Sequence, residues 1–325
     1  MTWRALIIGD VHWRATNPVA RRDNLKEALT MKLLECWDLA REHCVNAIIQ
    51  TGDLFDSPTI VYSTLADLIN LLQRAPAPIY TVAGNHDLFG ATPESLYRTP
   101  LGFLFQLGIV RNAENGFDDG MVAITGRGYD ADIDSDVTTY AIPPKLRMMP
   151  ANIRVHITHG MLVDRPMPSR HTLISDLAGL GDKPDMPHVL INGHYHLGTG
   201  IHRVGRTLVV NPGALCRLSA AIEEIERPVQ VALLETDLEH YDVQLITLQS
   251  ARPGAEVLSR DHLIAQAEAE RRREQFLELL ASEQTAKVLD LADMIRDISA
   301  RENLPDRVRD EALARIARAQ EAIAA

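Results

Sequence analysis

Residues 82–87 read "VAGNHD", an apolar strand tail that runs into a glycine and then into three side chains that are costly to desolvate together. Taken alone the hexapeptide is compatible with an ordinary strand and turn, since Gly84 and Asn85 are common turn formers. Four further strand ends share the oddity: "GDVH" (9–12), "GDLFD" (52–56), "THG" (158–160) and "GHYH" (193–196). Each places ionisable or imidazole groups just past an apolar run, at the edge where open α/β sheets hold their ligands.

The runs leading into these motifs, and two more, form a series: "RALIIG" (4–9), "NAIIQTG" (46–52), "PIYTVAG" (78–84), "MVAITG" (121–126), "RVHITHG" (154–160), "HVLING" (188–193) and "TLVVNPG" (207–213). All read as buried strands ending near glycine. Between the early ones, Leu25, Leu29, Leu33, Leu34 and Trp37, then Leu65, Leu68, Leu71 and Leu72, recur at helical spacing. The alternation predicts an α/β fold. Farther on, "PVQVALLETD" and "YDVQLITLQS" alternate with period two and have no helix between them, which predicts an antiparallel pair closing a sheet.

After Pro253 and Gly254 the composition shifts to Ala, Glu, Arg and Leu. Apolar positions then fall at helical spacing, among them Phe276, Leu279, Leu280, Leu289, Met294, Ile295 and Ile298. Leu304-Pro305-Asp306 reads as the start of a last helix. The expected organisation is a first domain over residues 1–252 and a helical C-terminal module over 258–325. The tail carries 11 basic and 14 acidic residues, so it is no polybasic arm.

Composition bounds the rest. The 325-residue chain is 46% hydrophobic and 24% charged, that of a folded globular protein. No apolar run approaches a membrane span and the N-terminus turns polar too early for a signal peptide, so no membrane association and a cytoplasmic location are expected. Cys36, Cys44 and Cys216 lack any CxxC spacing and read as reduced packing residues. The net charge of −11 argues against a broad surface that grips nucleic acid unaided.

The motif residues supply two aspartates, one asparagine and four histidines as donors: Asp10, His12, Asp53, Asn85, His159, His194 and His196. An all oxygen and nitrogen set suits manganese, iron or zinc, with manganese the first expectation. Asp10 with His12, and His194 with His196, stand two residues apart, so in extended backbone each pair points to one side. Two cations about 3.5 to 4 Å apart would clamp a phosphate.

This motif order resembles the calcineurin-like metallophosphoesterases over about residues 4 to 215. The resemblance implies a four-layer αββα sandwich, here with the C-terminal helical extension. It implies Asp10, His12, Asp53 and His196 around a first metal, and Asp53, Asn85, His159 and His194 around a second. It also implies His86 as general acid toward the leaving oxygen, Asp56 as the carboxylate that orients it, and a cation-activated water as nucleophile. Asp87 is expected to brace the loop. "GDVHW", "GDLFD" and "GNHD" depart from the GDxHG, GDxVDRG and GNHE of protein serine/threonine phosphatases. "GDLFD" and "GNHD" with the later "NPGA" resemble the SbcD-type DNA repair nucleases, whose members bind an SMC-like ATPase (SbcC) through C-terminal helices. That resemblance implies a DNA exonuclease, with single-strand endonuclease activity, partnered by DNA and the ATPase. The short 215–250 stretch leaves little room for the capping domain of larger members. Arg14, Arg21, Arg22, Lys26 and Arg217 are candidate phosphate contacts. A second reading is a phosphodiesterase on small substrates such as cyclic nucleotides, with the tail joining two copies as a homodimer.

Overall fold

The computed structural model describes residues 2–261 apart from 148, 150, 181, 182, 184 and 238, together with 268–274 and 291–324. It divides into two compact units, Met1–Arg260 and Asp261–Ala325.

The first unit is built on two six-stranded sheets. One contains β1 (Trp3–Ile8), β2 (Ala47–Gln50), β3 (Ile79–Thr81) and β4 (Arg111–Asn112). The other contains β5 (Phe117–Asp118), β6 (Val122–Arg127), β7 (Ile153–Thr158), β10 (Val189–Asn192), β11 (Gly200–Val204) and β12 (Thr207–Asn211), while β8 (Leu162–Val163) and β9 (Thr172–Leu173) pair apart. β13 (Gln230–Thr236) and β14 (Tyr241–Thr247) return to the first sheet, giving the order β14-β13-β1-β2-β3-β4. The second is ordered β11-β12-β10-β7-β6-β5. β13 runs antiparallel to β1 and to β14, so the predicted pair does close a sheet.

Strand alternation sets the layers. In β1, Trp3, Ala5 and Ile7 point into the space between the sheets, where they meet Ile124, Val155, Ile157, Ile191 and Val210 of the other sheet. Leu6 and Ile8 point outward onto α1 (Leu25–Glu42), through Leu25, Leu29, Leu33 and Trp37, and α2 (Tyr62–Leu72), through Leu65 and Leu68. α1 starts where the Asn24 side chain accepts the Glu27 N–H at 3.2 Å, which satisfies one otherwise orphaned donor of the first turn. Over the outer face of the second sheet, Leu190 and Val209 are covered by Tyr140, Ile174, Leu177 and Leu180, which lie in short 3₁₀ segments. The fold is the expected mixed α/β sandwich of two sheets flanked by helical layers.

β1, β2 and β3 are mutually parallel, as are β6, β7, β10 and β12, so the C-terminal ends of the strands in each group share an edge. All five motifs emerge at those ends.

The first unit extends past residue 252. After α3 (Pro100–Gln106) and α4 (Ile222–Glu226), Pro253 caps α5 (Gly254–Val257), and the segment is sewn down where Arg22 N donates to Val257 O at 3.0 Å and Ser259 N to Ala20 O at 2.8 Å. In the second unit, α6 (Leu291–Arg301) and α7 (Asp306–Ala324) are joined by a turn at Asn303, which has φ +53°, and α7 begins at Asp306 right after the proline. Phe276, Leu279, Leu280 and Leu289 lie outside the described residues. Among the described residues no helix is long and apolar enough to cross a membrane. Cys36 and Cys216 are buried, Cys44 is exposed, and none is bridged.

Candidate metal centre

Asp10 and His12 leave β1, Asp53 leaves β2, Asn85 to Asp87 leave β3, His159 leaves β7, and His194 and His196 leave β10. Convergence does not come from extended backbone at either i, i+2 pair. His12, Asp53 and His194 have φ of +50°, +49° and +71°, so the chain turns sharply in a conformation that non-glycine residues adopt only when their surroundings hold it.

Those surroundings can be traced bond by bond. The Asp53 carbonyl accepts the N–H groups of Val11 at 3.1 Å and His12 at 2.9 Å, tying the first two loops together. Asp53 Oδ1 accepts the His86 N–H at 2.8 Å. Asp10 Oδ2 accepts the His194 N–H at 3.0 Å and its Oδ1 accepts the Thr51 hydroxyl at 2.7 Å. His159 donates Nδ1–H to the Thr51 carbonyl at 2.8 Å, which points Nε2 at the site. Asp87, fully buried, accepts from Phe55 N and Gly84 N, both at 2.9 Å, and from Leu54 N at 3.3 Å, so it braces the loop as expected.

The seven expected donors fall into two groups, beside a third cluster of His12, Asp56 and His86 at the mouth. Ligand atoms of Asp10, His12, Asp53 and His196 lie within 4.8 Å of one another, and so do those of Asp53, His159 and His194. Asn85 Oδ1 stands 3.3 Å from His159 Nε2, at the second group. Asp53 belongs to both groups. Its Oδ2 lies 3.6 Å from His12 Nε2 and 3.3 Å from His159 Nε2, and is buried without a hydrogen-bond partner. The Nε2 atoms of His12 and His196 face each other at 2.9 Å, so both imidazoles are directed at one point.

The electrostatics show the same demand for positive charge. Burial works against charge on His159, yet the Asp53 carboxylate, with Asp10 behind it, pushes this imidazole up to about 10. Burial likewise opposes a charged Asp53, but His159 and His12 hold its carboxyl below the usual range. Burial, with His159 alongside, pushes His194 down to about 4. Burial lowers His196 to about 4 as well, against the pull of Asp10. In the absence of cations a proton on His159 acts as counterion for Asp53; bound cations would take over that role and leave the imidazole a neutral ligand. An orphaned carboxylate oxygen, converging imidazoles and a hard-to-borderline donor set fit two divalent cations.

The calcineurin-like phosphoesterase family model matches residues 4–216, which include every one of these donors. The chain belongs to that family. Among solved structures it is similar to the anchor protein of the inner membrane complex of Plasmodium, at 11% identity and TM-score 0.46, covering 78% of this chain and 86% of that one. It is also similar to a dimetal phosphatase from Danio rerio, at 12% identity and TM-score 0.46, covering 75% of this chain and 98% of that one.

In this phosphoesterase His86 is exposed at the mouth of the site, its ring edge-on to His12 with centroids 4.8 Å apart. The group that orients it differs from the one expected. His86 Nδ1–H donates to the main-chain carbonyl of Asp56 at 2.9 Å, while the Asp56 carboxylate pairs with Arg14 at 2.8 Å, stands 3.5 Å from His12 Nδ1 and keeps an oxygen within 4.8 Å of a His86 ring nitrogen. The Arg14 guanidinium forms the charge-assisted pair with the carboxylate, and the loop carbonyl takes the His86 Nδ1–H.

Several basic candidates also find other partners. Arg217 is only 5% exposed and donates to the carbonyls of Arg252 and Arg227, and Arg21, 9% exposed, pairs with Asp23. Lys26 pairs with Asp67 at 2.8 Å. Sequence reasoning passed over Thr51, which positions both Asp10 and His159, and Tyr129, whose ring lies 5.7 Å from that of His194. Nothing in an isolated threonine or tyrosine announces such a role.

Proposed function

We propose that this calcineurin-like phosphoesterase is a manganese-dependent DNA nuclease, an exonuclease that also cuts single strands, working with an SMC-type ATPase of the SbcC kind. The observation that carries the reading is the position of His86. Seven donors lie buried or half-buried beneath it, while it stands exposed with Nδ1–H fixed on a carbonyl, so that Nε2 is presented outward to a bulky phosphodiester. Iron and zinc fit the same donors and rank behind manganese.

Bound at the two donor groups, divalent cations would supply positive charge to the scissile phosphate and an acidified water. The chain's own residues do the rest. Asp10 and Asp53 hold their loops in register, Thr51 orients Asp10 and His159, and His86 delivers the Nε2 proton to the departing oxygen. The "NPGA" stretch that points toward the nuclease branch forms part of the wall of this site. Ala214 N donates to the His196 carbonyl and Leu215 N to the Asp10 carbonyl, at 2.9 and 2.8 Å. The negative overall charge agrees with a subunit whose ATPase partner provides much of the DNA grip. The helices of the second unit, α6 and α7, are the proposed docking module for that ATPase.

The test is one assay series with manganese-loaded protein on linear duplex DNA, single-stranded DNA, bis-p-nitrophenyl phosphate and cyclic nucleotides. Manganese-dependent cleavage of DNA is expected, with deletion of residues 261–325 abolishing co-purification with the ATPase and sparing small-diester hydrolysis. Rapid turnover of cyclic nucleotides with DNA untouched, even with the ATPase added, would overturn the nuclease reading.

A further inference from the structure

Outside the metal centre, the largest concentration of buried charge lies between α1 and the chain that follows β12. Lys32, Arg217, Arg227 and Arg21 are 3%, 5%, 8% and 9% exposed. Arg227 Nε pairs with Glu224 at 3.2 Å and Arg21 with Asp23 at 2.6 Å. Lys32 and Arg217 have no carboxylate partner among the described residues. Lys32 Nζ donates to the Leu215 carbonyl at 2.6 Å, and Arg217 donates to the carbonyls of Arg252 and Arg227 at 2.8 and 2.6 Å. The Nε atoms of Arg21 and Arg217 are buried with no hydrogen-bond partner.

Carbonyl dipoles solvate a cation but do not cancel its charge, and an uncompensated buried cation is far costlier than a paired one. Burial and the guanidiniums of Arg21, Arg217 and Arg227 accordingly push Lys32 down to about 8. Beside this cluster opens a cavity of about 210 Å³. Its wall carries Arg21, Lys32, Arg217 and Arg252 against Asp23 and Glu27, and Glu27 is already engaged by the Asn24 amide at 2.8 Å. The space is several times the roughly 30 Å³ share of one water.

We infer that this cavity is a second anion site that takes a phosphate group, either inorganic phosphate or the 5′-phosphate of a mononucleotide. A tetrahedral oxyanion accepts from an ammonium and a guanidinium together and supplies the charge the cluster lacks. The site is distinct from the metal centre but joined to it through one residue. The Leu215 carbonyl holds Lys32, while the Leu215 N–H is bonded to the Asp10 carbonyl at 2.8 Å.

The test uses the full chain stripped of metal by a chelator, so that no cation in the catalytic site can hold the anion. Melting temperature is followed against sodium phosphate, a deoxynucleoside 5′-monophosphate, and sodium chloride at matched ionic strength. Phosphate at about tenfold its Kd should raise the melting temperature by about 3 °C, with chloride inert. A larger response to the mononucleotide identifies the nucleotide as the ligand, and an equal or smaller one the free anion. Arg217→Met and Lys32→Met should each lose the response. If Arg217→Met fails to fold, Lys32→Met decides, because removing an uncompensated cation should raise the melting temperature in the absence of phosphate. An unchanged phosphate response in Lys32→Met, or an equal response to chloride, overturns the site.

Discussion

Replacing Gly84 by alanine puts the metal-centre geometry to a direct test, because the clash it creates falls on a single residue. A Cβ at this position would lie 2.1 Å from Asp53 Oδ1, 2.4 Å from Asp53 N and 2.6 Å from Asp53 Cγ. Gly84 has no left-handed backbone requirement, so the consequence is steric rather than conformational. The carboxylate falls more than 1 Å short of ordinary van der Waals contact, and the adjacent backbone nitrogen blocks any escape by side-chain rotation alone. Overpacking of this kind costs about 1–3 kcal/mol of stability. Its larger effect is on ligation, since Asp53 belongs to both donor groups. Displacing it by about 1 Å should weaken manganese binding at least as much as losing an outer-shell hydrogen bond, on the order of 10–100-fold. The assay is manganese titration by calorimetry, with melting curves in chelator and in manganese. Gly84→Ala should lose roughly 3 kcal/mol of metal-induced stabilisation if affinity falls 100-fold. Gly179→Ala, whose Cβ meets nothing within 4 Å, serves as the control and should match the parent protein. If Gly84→Ala bound two manganese ions per chain with unchanged affinity, Asp53 could not be the shared ligand.

Three further substitutions probe separate parts of the chain. His86→Gln should lower phosphodiester turnover by about 10²- to 10⁴-fold while manganese titration is unchanged, and a parallel loss of metal would instead make His86 a ligand. Thr51→Val removes the hydroxyl bond to Asp10 but keeps the carbonyl bond to His159, so manganese affinity should fall about 10-fold or more, and stability in chelator by about 1–3 kcal/mol because a buried carboxylate oxygen loses its donor. His156, fully buried with Nε2 unpartnered, is pushed down to about 3 by burial and then by Arg127. An imidazole that stays neutral in the folded chain but protonates near 6.5 when unfolded leaves stability intact above pH 6.5 and erodes it, at up to about 1.4 kcal/mol per unit, as pH falls toward 3. His156→Leu should therefore flatten the acid limb of a stability–pH curve, and an unaltered limb would assign acid unfolding to other groups.

The seven donors were legible because each stands at the end of an apolar run, where a polar side chain has no packing reason to be. Their geometry was not. Left-handed turns at His12, Asp53 and His194 are set by hydrogen bonds from loops distant in sequence; histidine and aspartate tolerate that region better than most residues, but too many of them stand elsewhere in the chain for the residue type to mark these three. Asp56 was read by its carboxylate and acts on His86 through its carbonyl, because Arg14 claims the acid group. Arg217, a candidate phosphate contact from its place after "NPGA", lies in the fold among the buried cations Lys32, Arg21 and Arg227, a burial that its residue type does not signal. The compositional break at Pro253 and Gly254 lies a few residues before the division into two units at Arg260, since a proline that stops one element can equally open the next.

Of the six non-glycine residues with left-handed φ among those described, three are metal-donor residues. Each such conformation costs about 1–3 kcal/mol and persists only where its surroundings over-determine it. The determinants are the two aspartates. Asp53 turns its carbonyl to His12 N and one carboxylate oxygen to His86 N, while Asp10 turns a carboxylate oxygen to His194 N. The groups that would hold the cations therefore also hold the backbone that aims the imidazoles. Those bonds are made by protein atoms alone, so the strain is sustained before any cation arrives. Cation binding should then stabilise a loop geometry that already exists, unlike a zinc finger, where ligation supplies the fold itself. The corollary is asymmetric. Losing a histidine ligand removes one donor, whereas losing the carboxylate of Asp10 removes a donor and also releases the strained turn at His194, so Asp10 variants should show the larger drop in melting temperature even in chelator.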